Sequence, residues 1–417
     1  MNPQRWFALV CCVIGLVPGT AWALPTLTPE VLLPSAVGTD AYRPAVAFGA
    51  STYLVVWQAG RIGAGDLVGI RLDATGAPID AQPFAVSTAT DDQERPHIAF
   101  GGGVFLVVWQ DLRNGKDYDT YAARVTPGGK LLDPGGVLIA GGPHNQSNPV
   151  VTFDGTSFLV AWEDLRDGQF YAIYGARVGT DGKVADPNGL LIASDKTGGY
   201  HRLQPAIASQ GGGRSLVVWH GSTVRDLAPP PLLWGGVFVK GGAVEASFGL
   251  AGNDERNAGV PGPGCPITLA ASPSGFLAAW RNWLPIGRGN GSPIGNMVLL
   301  SATDGSEGTP AMLLGRKHYV VDPSSIWDGA EYVTAWAEQR HDPNVPPPDF
   351  DAAYAVTTGA DGTILSGEIA VAGTLANPAK SLAVASDGAR HTVMVYERHP
   401  SVGTEPIRVG VRVLQVQ

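Results

Sequence analysis

Seven times along the chain an apolar run closes on a large aromatic residue: Trp57, Trp109, Trp162, Trp219, Trp280, Trp336 and, in seventh place, Tyr396. The successive spacings are 52, 53, 57, 61, 56 and 60 residues. A period of this size constrains the fold more than any other property here. One short unit cannot bury its own apolar face, so it must stack against copies of itself. Residues 95–111 read RPHIAFGGGVFLVVWQD and residues 148–164 read NPVVTFDGTSFLVAWED. Both give a proline, an apolar strand, a turn containing glycine, and a second apolar strand ending in tryptophan.

Each copy reads as four strands. In the second copy these are A at 96–100, B at 104–110, C at 119–125 and D around 137–140. The third repeats the pattern, with C at 171–178, an Asp181-Gly182 turn and D at 189–193. Asp-Gly between two β-rich runs marks a hairpin, because the turn needs positive φ. Strand B is apolar on both sides of its alternation (Leu106, Val107, Val108, Trp109), as expected of an inner strand covered on both faces. Seven such copies predict an all-β chain, a seven-bladed β-propeller of four-stranded blades. An open solenoid or a pair of sandwiches accounts less well for the two ends. The seventh copy runs only to strand C at 407–414, while an orphan strand at 30–36 (EVLLPSA) resembles the D strands VLIA and LLIA. The N-terminal strand is therefore expected to close the last blade, which removes an open sheet edge.

Residues 1–23 have the parts of an export signal: Arg5, an apolar run from Trp6 to Val17, and the small-x-small triplet Ala21-Trp22-Ala23. The run is too short to span a bilayer, which takes about 20 apolar residues. The expectation is a secreted protein (extracellular, periplasmic or on the cell surface), its residues 24–417 forming one propeller domain. Cys265 is then the one cysteine outside the signal, so no internal disulfide is expected. Only 7 of the 28 basic residues are lysine, a bias typical of GC-rich bacterial genomes. A net charge of −9 argues against nucleic acid as a partner. No later segment is apolar enough for a membrane span, and a monomer without cofactor or metal is expected.

From Pro44 onward the chain resembles the β-propeller superfamily. In detail it is similar to secreted bacterial propeller repeats in which tryptophan is followed by Gln or Glu, then Asp-x-Arg. That signature stands here as Trp109-Gln110-Asp111-Leu112-Arg113 and Trp162-Glu163-Asp164-Leu165-Arg166, and is blurred at Trp57–Arg61 and Trp336–Arg340. The resemblance implies fold and export but no single activity. The sialidase Asp-box, kelch and WD40 patterns all fit poorly.

In this architecture the D–A and B–C connections share one face of the disc. Here they include stretches of 13 residues at 220–232, 281–293 and 337–349, against tight turns on the other face. The long-loop face is thus expected to carry the function. Repeated residues read as structure: the tryptophans as core, and the Asp111/Arg113 and Asp164/Arg166 pairs as local braces. The loop 111–119 (DLRNGKDYD) offers oxygens to Ca²⁺, but Arg113 and Lys116 oppose a cation. The histidines are scattered, with no zinc pattern. Non-repeated residues on the long-loop face are the binding candidates: Arg43, Arg95, His201, Arg202, Arg281, Trp283 (read as a loop residue), Glu338, Arg340 and His341. The favoured reading is a binding module for a glycan or a protein. A carbohydrate-active enzyme, a lyase or glycoside hydrolase with His201 or His341 as base, is the alternative, and a structural surface protein the third. The sequence leaves catalysis open and leans away from it, because no nucleophile motif is present.

Overall fold

The structure, a computed structural model, describes residues 25–35, 39–61, 63–195, 199–223, 234–250, 267–286, 290–308, 311–312, 319–340, 350–374, 377–400 and 405–416. At 200, 222–223, 234, 281–286, 290–296, 311–312, 319–322, 339–340 and 350–351 only the backbone is described. The expected export signal and Cys265 lie outside the described residues.

Strand B is where the chain is driest. Leu106, Val107, Val108 and Trp109 are each no more than 1% exposed, because both faces of this strand meet a neighbouring blade. In chain order, the strands of blade 1 are A Ala41–Gly49, B Thr52–Arg61, C Ala64–Leu72 and D Phe84–Ser87. Blade 2 has Gln93–Gly101, Val104–Asp111, Asp119–Val125 and Val137–Ala140, and blade 3 Gln146–Phe153, Phe158–Asp164, Ala172–Val178 and Leu190–Ala193. Blade 4 has Tyr200–Gly211, Arg214–Thr223 and Trp234–Lys240, the last paired with both Ala243–Val244 and Phe248–Leu250. Blade 5 has Ile267–Ser272, Gly275–Ile286, Asn290–Ser301 and Ala311–Met312. Blade 6 has Tyr319–Trp327, Tyr332–Arg340, Phe350–Thr358 and Ile369–Ala372. Blade 7 has Ala379–Ser386, His391–Arg398 and Arg408–Gln415. The sheets of blades 1 to 6 are antiparallel A-B-C-D meanders, and the described residues include no helix. The chain is a seven-bladed β-propeller.

The ring closes through the N-terminus, with one difference from the sequence reading. Two short strands, Thr26–Leu27 and Val31–Leu32, replace a single strand at 30–36, and both pair with Arg408–Gln415. Pro29 stands between them and Pro34 follows, and proline has no N–H to give to a ladder.

Seven apolar clusters fill the seams, one between each pair of neighbouring blades. Each repeated aromatic belongs to such a cluster. Two B–C connections are shorter than expected. Strands Gly275–Ile286 and Asn290–Ser301 continue as a hairpin arm through most of 281–293, which puts Trp283 on a strand opposite Pro293 rather than in a loop. Strand Tyr332–Arg340 likewise runs into the expected loop at 337–349.

Candidate functional site

Strand A of every blade lines a central channel of about 570 Å³, walled mainly by small apolar residues such as Ala45, Ile98, Val150 and Ala206. Polar side chains tie neighbouring A strands together. His97 Nδ1 accepts the N–H of Val151 at 3.2 Å, Thr268 Oγ1 that of Ser325 at 3.0 Å, and Ser324 Oγ that of Val384 at 3.2 Å. Burial pushes His97 down to about 4, so it remains a neutral acceptor.

At the long-loop end of the channel strand A of blades 1, 2, 3, 4 and 7 carries a bulge, seen as a register shift against strand B. One residue of the bulge takes a left-handed backbone: Arg43 (φ 49°), Arg95 (54°), Asn148 (50°), Gln204 (51°) and Ser381 (49°). That conformation costs a non-glycine residue roughly 1–2 kcal/mol, and at Arg43, Asn148 and Gln204 an interblade hydrogen bond offsets the cost. The N–H of Arg43 donates to Glu397 Oε1 at 2.8 Å, that of Asn148 to Gln110 Oε1 at 3.0 Å, and that of Gln204 to Glu163 Oε1 at 2.7 Å. The acceptor is always the residue after the repeated aromatic.

Side chains extend these bonds into a polar rim. His399 Nε2 lies 3.0 Å from Glu397 Oε2, the Arg43 guanidinium 3.5 Å from Glu94 Oε2, and Gln110 Nε2 donates to Glu94 Oε1 at 2.8 Å. The chain His399–Glu397–Arg43–Glu94–Gln110–Asn148, followed by Glu163 and Gln204, spans blades 7, 1, 2, 3 and 4. The rim carboxyls differ. Burial raises Glu163 above its ordinary value, against the opposing hydrogen bonds of Gln204 and Asn148 and the charge of Arg95. Burial also works to raise Glu397, but hydrogen bonds from His399, the Arg43 N–H and Ser381 outweigh it and hold this carboxyl below the usual range.

Arg43 and Arg95 stand on this rim, Arg43 with its side chain 39% exposed and Arg95 exposed. His201 and Arg202 enter blade 4 beside it. His201 Nδ1 accepts the Tyr171 N–H at 3.0 Å between the rings of Phe170 and Tyr171, and burial lowers its pKa. Arg202 is buried and pairs with Asp195 at 3.0 Å, while burial and the charge of Arg202 push His220 down to about 4. Glu338 lies elsewhere. It is buried in the blade 6 sheet, where its Oε2 accepts Trp336 Nε1 at 3.3 Å. Arg281, Trp283 and Arg340 are placed as strand residues at backbone level, and His341 lies outside the described residues. Glu94, Gln110, Glu163, Asn148 and Gln204 were not singled out from sequence, although the Gln or Glu after each tryptophan was the available signal.

The repeated signature braces the blades. Asp111, wholly buried, accepts Trp109 Nε1 at 2.7 Å and holds Arg113 through two bonds, of 2.8 and 2.6 Å. Arg113 lies 3.9 Å over the Tyr121 ring, and Trp162, Asp164, Arg166 and Tyr174 repeat the arrangement. On the short-turn face Arg71, Arg124 and Arg177 clamp Asp80, Asp133 and Asp186, and each reaches a carbonyl of the next blade. The loop 111–119 is held by its own bonds: Asn114 Nδ2 donates to Asp117 and Asp119. Among the described residues no three His, Cys, Asp or Glu side chains group to hold a metal ion.

No protein-family model matches the chain, and no curated protein sequence matches it. Solved structures do. A protein of unknown function from Dyadobacter fermentans aligns over 94% of this chain and 99% of its own, with a TM-score of 0.53 and 11% identity. The α-L-arabinanase of Penicillium chrysogenum, solved with arabinobiose, covers 93% of this chain and 98% of its own at a TM-score of 0.44 and 11% identity. A thermostable family-43 glycoside hydrolase covers 68% and 96% at 0.41 and 12%. At such identity the first likeness is one of fold alone, and the weaker two carry no argument about chemistry.

Proposed function

We propose that this chain is an exported binding module that takes a glycan or protein ligand at the rim of the central channel, on the D–A and B–C face. The observation that carries this reading is the polar rim itself. It presents Arg43 and Arg95 to solvent, while each rim acceptor behind them is tied to a backbone N–H or a guanidinium. Groups committed in this way keep their geometry when a ligand arrives, which favours recognition over proton transfer. The exposed arginines select a ligand with hydroxyl or carboxylate acceptors. Binding of immobilised neutral and acidic polysaccharides by the purified protein tests the reading. Arg43→Ala and Arg95→Ala are expected to weaken capture, whereas Lys130→Ala and Lys183→Ala on the opposite face leave it unchanged. Loss of capture with the lysine variants alone would put the site on the other face.

A carbohydrate-active enzyme is the second reading, favoured by the 3.0 Å contact of His399 with Glu397. Glu397 would orient the imidazole as a general base. Turnover of a polysaccharide that disappears in His399→Ala would select this reading.

A further inference from the structure

At one position of strand C the seam between blades 6 and 7 holds a charge where the other six blades hold an apolar side chain. Arg412 pairs with Met394 across strands C and B, and it points towards blade 6. The register places Ile70, Ala123, Ala176, Val237, Val298 and Val356 at the same position in the other six blades. All six are buried, at 2% exposure or less, inside their apolar seam clusters. Arg412 Nε is equally enclosed and has no hydrogen-bond partner. An unsatisfied guanidinium N–H inside a seam works against folding, so packing does not account for it.

The surroundings have changed with it. The aromatic stack of blades 2 and 3, tryptophan over tyrosine, becomes Tyr396 over Gly410, and Arg398 stands where the clamping aspartate was. Glu30 of the N-terminal segment enters instead, accepting the Tyr396 hydroxyl at 2.6 Å and pairing with Arg398 at 3.3 Å. Between them lies a pocket of about 260 Å³ lined by Glu30, Tyr354, Gly373, Thr374, Arg398 and Arg412 among others. That is just under the roughly 300 Å³ at which small-molecule clefts begin. Arg398 is matched by Glu30, which leaves the single positive charge of Arg412 to be met.

We propose that this seam pocket binds a small molecule through one carboxylate, held by the guanidinium of Arg412, at a site separate from the channel rim. A planar guanidinium fork matches a carboxylate with two parallel hydrogen bonds. One surplus positive charge suits a monoanion better than a phosphate dianion.

Calorimetry and thermal melting of the full chain, with glucuronate, acetate, inorganic phosphate and glucose as probes, test the proposal. Glucuronate or acetate is expected to bind and raise the melting temperature, and glucose is not. Arg412→Val, which installs the residue type of the other blades, should melt at or above the parent without ligand. It should also weaken carboxylate binding by about tenfold or more, the loss typical of removing one partner of a buried charge pair. Arg43→Ala should leave this binding unchanged, which separates it from the rim site. Absence of carboxylate binding, preference for phosphate, or binding retained in Arg412→Val would overturn the proposal. So would a large drop in melting temperature for both Arg412→Val and Arg412→Met, since the arginine would then be structural.

Discussion

The backbone N–H of Arg43 donates to Glu397 Oε1 at 2.8 Å, although 354 residues separate the two in sequence. Gln204 and Glu163 repeat the relation at 2.7 Å, and Asn148 with Gln110 at 3.0 Å. The last pair shows that a neutral amide oxygen serves as well as a carboxylate. A left-handed N–H facing a neighbouring blade needs an acceptor, and nothing in the geometry requires that acceptor to be charged.

Glu163→Gln is therefore expected to stabilise the protein at neutral pH. The folded pKa of Glu163 is raised, so its contribution to stability is present below the ordinary carboxyl value and is lost as pH rises through the folded value. At pH 7 the ionisable group opposes folding, whether it is buried charged or has to take up a proton. Removing it while keeping the acceptor should gain about 1 kcal/mol at pH 7 and close to nothing at pH 4. Urea unfolding at the two pH values measures the difference, and a less stable variant at pH 7 would contradict it.

Glu397→Gln should do the opposite. Its folded pKa is lowered, so its contribution is present above the ordinary value and is lost as pH falls through the folded value. The variant should lose about 1 kcal/mol at pH 7, with the gap closing in acid. Both substitutions shifting stability in the same direction would show that the His399 contact does not distinguish the two carboxyls.

The signature residues make a third test. Trp162→Ala removes a fully buried ring and should cost about 3–5 kcal/mol. Asp111→Ala strands the Trp109 indole N–H and one face of Arg113, and should cost about 2–4 kcal/mol. Chemical denaturation reads both. A cost under about 0.5 kcal/mol for Asp111→Ala, the range of ordinary surface changes, would mean that the clamp adds nothing.

The blades were legible because strand alternation, Gly turns and a closing tryptophan are local signals that recur seven times. The short-range braces were legible for the same reason, since Asp111 and Arg113 are two residues apart. The rim was only half legible. Arg43 and Arg95 stood out by position, but their left-handed backbones arise from bulges within strand A that the local sequence does not announce. The guanidinium of Arg43 meets Glu94 and the N–H of Gln204 meets Glu163 across blade boundaries, so Glu94 and Glu163 drew no notice. Trp283 was misplaced because 281–293 lacks the strict period of two that marks a strand. Arg412 carries no local mark at all. It becomes conspicuous only when the register sets it beside Val298 and Val356.

Ring closure gives the most demanding test, because it depends on contacts across nearly the whole chain. Val31 pairs with Val411 and Thr26 with Gln415, and Leu33, 1% exposed, packs in the cluster that joins blade 7 to blade 1. The Arg408 guanidinium donates to the Leu33 carbonyl at 2.6 Å, and the Leu33 N–H to the Val409 carbonyl at 2.9 Å. Deleting residues 25–35 would remove all of these contacts, along with the Glu30 partner of Tyr396 and Arg398. It would leave the backbone of strand Arg408–Gln415 open to pairing with another molecule. The truncated protein is expected to melt well below the parent and to aggregate at concentrations where the parent stays dispersed, as read by scanning calorimetry and light scattering. Conversely, Val31→Cys with Val411→Cys should form a disulfide within the folded monomer and raise the melting temperature, by closing a very long loop in the unfolded chain. Val31→Cys alone serves as the control for loss of packing. A truncation that melts like the parent, together with a double variant that stays reduced under oxidising conditions, would show that the N-terminal strands do not hold the ring shut.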